Sequence, residues 1–303
     1  MDKILTEEII EYLEKFLQVT KNDYAKLFCE LNRSFKGIEV AYIYNYILLN
    51  KQDVNLLNQT IKEINSKKYI QNFDELLKFI LIVQDVNLKA LAIKTIATYK
   101  NTKAVPVLLQ CLKDVNSNYK VRFAAADALG RIGDKNAFEA LGTIAADEDE
   151  KSAYVKESAV VALGNLGDNR AIDVFSSIMS SKQMFLDKFS YLKERIIEAI
   201  SKLDVAKDTR AIEILKTSLL EPSSRVRISA IEAIMNLESS ESYSLIYDRL
   251  KYDDDFEVQK NALIALYNLS DRKILDEVAN GEYSQELKME AQTLIDEYEG
   301  EDE

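Results

Sequence analysis

Histidine and tryptophan are absent from the 303 residues, proline and cysteine occur twice each, and glycine eight times. Without histidine there is no Ser-His or Cys-His nucleophile pair and no imidazole-held zinc or iron. Cys29 and Cys111 are too few for a disulfide-stapled fold and read as free, buried thiols in a reducing compartment. With so few breakers, helix should dominate. No stretch reaches the ~20 apolar residues of a membrane span; the most apolar run, Val40 to Leu49, is too short. The first ten residues, MDKILTEEII, carry acids where a signal peptide needs an apolar run. A cytoplasmic location and no membrane partner are therefore expected. No glycine-rich phosphate loop is present; GRIGDK and GNLGDN read as turn glycines inside a repeat. No cofactor or metal is implied.

Basic residues are outnumbered by acidic ones, 39 to 51, for a net charge of −12. Such a chain repels polyanions at long range, which disfavours a nucleic-acid partner.

What the chain does have is a repeat. In YKVRFAAADALGRIGDKNAFEALGTIAAD, Tyr119 to Asp147, Val121 opens an apolar stripe that continues through Ala125, Leu129 and Ile132 at helical spacing. Gly130, Gly133 and Asp134 form a stop and turn. Ala137, Phe138 and Leu141 restart the stripe in a second helix. With Val121 as position zero, the pattern recurs at Leu88, Val155, Leu192, Val226, Val258 and Leu287, in steps of 33, 34, 37, 34, 32 and 29 residues. Four residues on stand Ala92, Ala125, Ala159, Ile196, Ala230, Ala262 and Ala291; eight on, Ile96, Leu129, Leu163, Ile200, Ile234, Leu266 and Ile295. A lone hairpin cannot bury such a stripe, so neighbouring hairpins must stack. The small residues four on let adjacent helices approach closely.

Tetratricopeptide and ankyrin signatures need tryptophan or histidine and are excluded. The stretches VRFAAADALGRIGDKNAFEAL, VKESAVVALGNLGDNRAIDVF and VRISAIEAI fit the pattern DxxVRxxAAxALGxIGDxxAxxxL. The chain resembles the HEAT-repeat family, in the short form named after phycobilisome lyases, from about Val83 to Tyr298. The resemblance implies an all-α fold, a right-handed α-solenoid of helical hairpins. It leaves residues 1–82 as a divergent helical cap of about five helices, 83–298 as the repeat array and 299–303 as an acidic tail.

The resemblance also implies a protein-binding scaffold presenting an extended surface. One enzymatic alternative is a phycobilin-lyase-like chromophore attachment protein. The family's metal-dependent hydroxylation needs His-Glu pairs that cannot exist here, and its nucleic-acid-binding alternative is opposed by the charge.

Several columns are candidate contact residues. In the second helices, Glu139, Asp173 and Glu213 recur two residues after an alanine. Second helices line the concave wall in the family the chain resembles, so an acidic line there would suit a partner with a basic segment. In the N-terminal part, Tyr42, Tyr44 and Tyr46 form a candidate docking head; Tyr42 and Tyr46 share a helix face and Tyr44 does not. Met184 and Phe185 lie in the longest inter-repeat step, where they either fold back as a longer helix end or project as an apolar contact. A basic column one residue after position zero includes Arg122, Lys156 and Arg227, and an acidic column thirteen after it holds Asp134, Asp168 and Asp271. Similar ladders bridge neighbouring repeats in the family, so these are expected to be structural and exposed, each pair worth well under ~1 kcal/mol.

Overall fold

The computed structural model describes residues 7–20, 23–181, 184, 189–205, 208–237, 241–269 and 273–301. Among them the chain is helical throughout, with no strand. It divides into two compact units, residues 1–162 and 163–303.

The first unit opens with five helices: α1 (Glu7–Thr20), α2 (Tyr24–Ser34), α3 (Ile38–Asn50), α4 (Val54–Lys67) and α5 (Phe73–Ile82). The apolar run Val40 to Leu49 lies in α3, which buries Val40, Ala41, Ile43, Tyr44, Ile47 and Leu48 around most of its circumference. A helix apolar on all sides must be surrounded, and α3 packs against both α4 and α5. Buried amides hold the turn before α5 onto it. Asn72 Nδ2 donates to Asn45 Oδ1 at 2.7 Å and to the Ala41 carbonyl at 2.8 Å, while Asn45 Nδ2 donates to the Gln71 carbonyl at 2.8 Å.

The hairpins follow. In the first unit α6 (Val86–Ala97) leads to α7 (Val105–Lys113), which packs on α8 (Tyr119–Ile132), and α8 leads to α9 (Phe138–Ala146). The division between units falls inside α10 (Ala153–Leu166). The second unit continues with α11 (Ala171–Met179), α12 (Ser190–Ile200), α13 (Thr209–Ser218), α14 (Ser224–Met235), α15 (Ser242–Tyr252), α16 (Phe256–Asn268), α17 (Lys273–Asn280) and α18 (Gln285–Glu301). Helix α18 runs on into the acidic tail.

First helices pack side by side, α4 on α6 on α8 in one unit and α12 on α14 on α16 in the other. Every residue four after position zero is fully buried, including Ala125, Ala159, Ala230 and Ala262. Each fully buried Leu or Ile of the stripe contributes about 1.5–3 kcal/mol of burial. Several first helices start on a side chain three residues before position zero, although α12 and α14 have no such cap. Asp85 accepts from the Leu88 amide at 2.8 Å, Asp255 from Val258 at 3.3 Å and Ser284 from Leu287 at 3.2 Å, a cap worth about 1 kcal/mol.

The repeat glycines divide into two kinds, a correction to their reading as turn residues. Gly133 and Gly167 end first helices in the left-handed conformation, φ 78° and 60°. Gly130 and Gly164 lie inside helices. A Cβ on Gly130 would stand 2.6 Å from Ala162 Cα, and one on Gly164 would stand 2.8 Å from Ala199 Cα. These glycines set how closely successive first helices approach. Of the two free thiols expected to be buried, Cys111 is buried in α7, but Cys29 lies on the exposed side of α2. No described helix is long and apolar enough to cross a membrane.

Candidate protein-binding surface

Glu139, Asp173 and Glu213 are all exposed on second helices. Glu139 lies in the first unit, Asp173 and Glu213 in the second. Glu139 and Asp173 occupy the first turns of α9 and α11, where the helix dipole favours a carboxylate. Asp173 is also engaged, because the Arg210 guanidinium pairs with it while holding Asp208 at 2.7 Å. Asp208 in turn caps α13 by accepting from its own Arg210 amide at 2.9 Å. Part of the acidic column is thus occupied by the chain's own cations.

The three tyrosines separate. Tyr44, offered as a docking residue, is instead a core residue with no exposed surface. Its hydroxyl donates to Asn32 Oδ1 at 3.1 Å, and its ring lies against Phe28. Tyr46 is half-buried and donates to Glu14 at 3.2 Å beneath the Lys51 ammonium; Tyr42 is half-buried. Met184 does not project: it is 3 % exposed, since an apolar side chain in a polar connection is better covered by the array. Phe185 lies outside the described residues.

The basic column is buried rather than exposed, and its partners are not the aspartates expected. Arg122 donates through Nε to the Leu112 carbonyl at 3.0 Å, in the last turn of α7, and through its terminal nitrogens to Glu150. Lys156 donates to the Asp147 carbonyl at 2.7 Å, just beyond α9. In the second unit Arg227 donates to the carbonyls of Glu221 and Pro222 at 2.8 and 3.0 Å, and pairs with Asp253 at 2.8 Å. Lys193 pairs with Glu221 at 2.5 Å. Arg122, Lys156 and Arg227 therefore sit at or just beyond the C-terminal ends of preceding second helices, where the dipole favours them, while the arginines and Lys193 grip the following inter-repeat loop. Burial alone would raise the Glu150 carboxyl, but the Arg122 guanidinium and the Ser152 amide together hold it below its ordinary value. Asp134 and Asp168 serve as turn caps, accepting from the amides of Asn136 and Arg170 at 2.9 and 3.1 Å. Asp271 lies outside the described residues.

A further candidate surface lies on the first helices of the first unit. A groove of about 570 Å³ runs across α4, α6, α8 and the start of α10. Half-buried Ala90, Leu91 and Phe123 make its floor. Tyr119 and Tyr154 stack beside it with ring centroids 5.9 Å apart, yet remain 45 % and 62 % exposed. Three exposed lysines line it, Lys62 from α4, Lys94 from α6 and Lys120 from α8, together with Asn58 and Asn87. Lys120 leans on Asn87 Oδ1 at 3.3 Å. Among the described residues no carboxylate lines the groove, and no ion pair engages these lysines.

In the sequence these residues lie one or two before position zero (Asn87, Tyr119, Lys120, Tyr154) or two, three and six after it (Ala90, Phe123, Leu91, Lys94). At 100° per residue these positions face away from the buried stripe. Tyr119, Lys120, Tyr154 and Lys94 on that outward face were the available signal. The family resemblance points instead to the second helices on the other wall.

The HEAT repeats family profile matches residues 73–153 and 182–267, more than half of the chain. The chain belongs to the HEAT-repeat family. A PBS lyase HEAT-like repeat matches residues 155–178. No curated protein matches significantly. Similar solved structures include Escherichia coli YibA, 20 % identical with a TM-score of 0.51, covering 80 % of this chain and 86 % of that one. The complex of CpcE and CpcF of phycocyanin lyase from Nostoc sp. PCC7120 is 22 % identical with a TM-score of 0.48, covering 74 % and 87 %. An archaeal HEAT-like repeats protein from Thermococcus onnurineus NA1 is 17 % identical with a TM-score of 0.43, covering 74 % and 95 %. The fold of this HEAT-repeat protein is accordingly an all-α solenoid of stacked hairpins.

Proposed function

We propose that this HEAT-repeat protein is a protein-binding scaffold, and that its contact face in the first unit is the wall of first helices carrying the Tyr119–Tyr154 groove. One observation carries the reading: two stacked tyrosines stay exposed over an apolar floor. Tyrosine is enriched in protein interfaces because it offers apolar area with a polar tip at low entropic cost. A groove of this volume suits one large side chain and its neighbours. Helix α4, from outside the repeat array, supplies one wall through Asn58 and Lys62, so the N-terminal helices contribute to the contact face as well as covering α6.

The test is capture from a lysate of the source cells, using the tagged full-length chain and a Tyr119→Ser/Tyr154→Ser variant, with bound proteins named by mass spectrometry. A protein held by the parent and lost from the variant is the expected result. The same set on both would remove the groove as the contact face.

A further inference from the structure

We propose that the groove takes a short acidic segment of a protein partner, anchored by one large apolar side chain; this rests on the protein-binding reading of the same face. The argument starts from a contrast of charge. The chain carries −12 overall, yet every ionisable side chain lining the groove apart from its tyrosines is a lysine. The lysines come from three successive first helices, so the array brings them to one place although they are 32 and 26 residues apart in sequence. Basic side chains on a stable fold commonly pair with nearby acids, as Lys78 does with Glu75 and Lys260 with Glu290. Lys62, Lys94 and Lys120 do not, and each can still take up a carboxylate. The floor of Ala90, Leu91 and Phe123, with the two tyrosine rings beside it, receives the anchor.

The length of the occupant follows from screening. Local attraction acts over a Debye length of about 8 Å at physiological salt, the scale of a few residues. A long polyanion would run out of the groove onto a surface where acids predominate. That favours a peptide segment over nucleic acid, although tyrosine rings and lysines could stack and hold single-stranded bases as well.

The experiment uses the full-length chain and four fluorescein-labelled probes followed by anisotropy. They are an octapeptide of Asp and Glu with one central Phe, the same peptide with Ala for Phe, its Asn/Gln counterpart retaining Phe, and a ten-residue oligothymidylate. The acidic Phe peptide should bind best. Its affinity should fall roughly tenfold on Lys62→Gln/Lys94→Gln/Lys120→Gln, since each exposed ion pair contributes well under a factor of ten. It should fall similarly when the Phe is removed or on Tyr119→Ser/Tyr154→Ser, and weaken between 50 mM and 300 mM salt. The substituted side chains are exposed, and an unchanged circular dichroism spectrum verifies that each variant folds. Equal binding of the Asn/Gln peptide, or lysine variants that bind as the parent does, would overturn the acidic partner and leave the protein-binding face standing. Tighter binding of the oligothymidylate than of any peptide would overturn both. Binding of no probe, with tyrosine-dependent capture from lysate intact, would overturn the acidic anchor alone.

Discussion

Arg122 and Glu150 form a two-pronged ion pair, with Nη1 to Oε1 at 2.9 Å and Nη2 to Oε2 at 2.5 Å, and their side chains are only 7 % and 4 % exposed. The pair fastens α8 to the loop that leads into α10, while the same guanidinium holds the end of α7 through the Leu112 carbonyl. Removing one partner strands a buried charge, which costs about 3–5 kcal/mol. Arg122→Ala should therefore lower the unfolding free energy by about that amount, read from the urea midpoint. The double variant Arg122→Met/Glu150→Leu removes both charges at similar volume and should recover most of the loss. If Arg122→Ala unfolded within ~0.5 kcal/mol of the parent, this pair would not fasten the loop.

The same pair gives the stability a defined pH dependence. The Glu150 carboxyl is held below its ordinary value of 4.5 in the folded chain. A carboxylate depressed on folding stabilises above its unfolded pKa and loses that contribution as pH falls through the folded value. The stability difference between the parent and Glu150→Gln should be constant from pH 7 to about pH 5 and shrink progressively below 4.5. Urea midpoints of the two proteins at pH 7, 5, 4 and 3 measure it. A difference that stayed constant to pH 3 would contradict the coupling.

Gly130 tests the close approach of first helices. In an isolated helix, glycine to alanine gains up to ~1 kcal/mol from propensity alone. Here the added Cβ would stand 2.6 Å from the Cα of Ala162, a backbone atom that cannot swing aside. Overpacking of this kind costs about 1–3 kcal/mol and should exceed the propensity gain. Gly130→Ala should thus lower the thermal midpoint, whereas the same change at an exposed helical position should raise it. A raised midpoint for Gly130→Ala would mean that the helices part easily.

Much of the fold was legible because a buried stripe repeats in fixed columns: all seven residues four after position zero are fully buried. The caps three residues before it, such as Asp85 and Asp255, recur less regularly, being absent at α12 and α14, but could have placed some of the helix starts. Side-chain partnership was less legible. Arg122 finds Glu150, 28 residues away, through a loop whose path no periodicity specifies. The groove was obscured for a different reason: Lys62, Lys94 and Lys120 are ordinary solvated residues one at a time, and only the stacking of α4, α6 and α8 makes them neighbours. Tyr44 shows the converse, a polar-tipped side chain drawn fully inside because Asn32 satisfies its hydroxyl.

The N-terminal helices should be indispensable to the first unit. Helices α4 and α5 pack on α6, so a chain beginning at residue 83 would expose that face to water. Such a chain should aggregate on size-exclusion chromatography or lose helicity beyond the share of residues removed. A soluble, fully helical product would instead make residues 1–82 an independent domain.

Reversal of the acidic column separates the two candidate faces. Glu139, Asp173 and Glu213 are exposed, so changing all three to Lys should cost at most ~1 kcal/mol, chiefly because Asp173→Lys replaces the present pair with Arg210 by a contact between like charges. Each change adds two positive charges, which moves the net charge from −12 to −6. Charge of this kind acts mainly on the rate of encounter. If the lysine-lined groove is the contact face, the triple variant should associate with the acidic Phe peptide faster than the parent at 50 mM salt, because long-range repulsion has halved. The dissociation rate should be unchanged, because none of the three residues lines the groove. The advantage should vanish by 300 mM salt, where screening removes the long-range field. Stopped-flow anisotropy at the two salt concentrations measures both rates. If the triple variant instead released a partner captured by the parent from lysate, contact would pass to the second helices, and the partner would carry a basic segment.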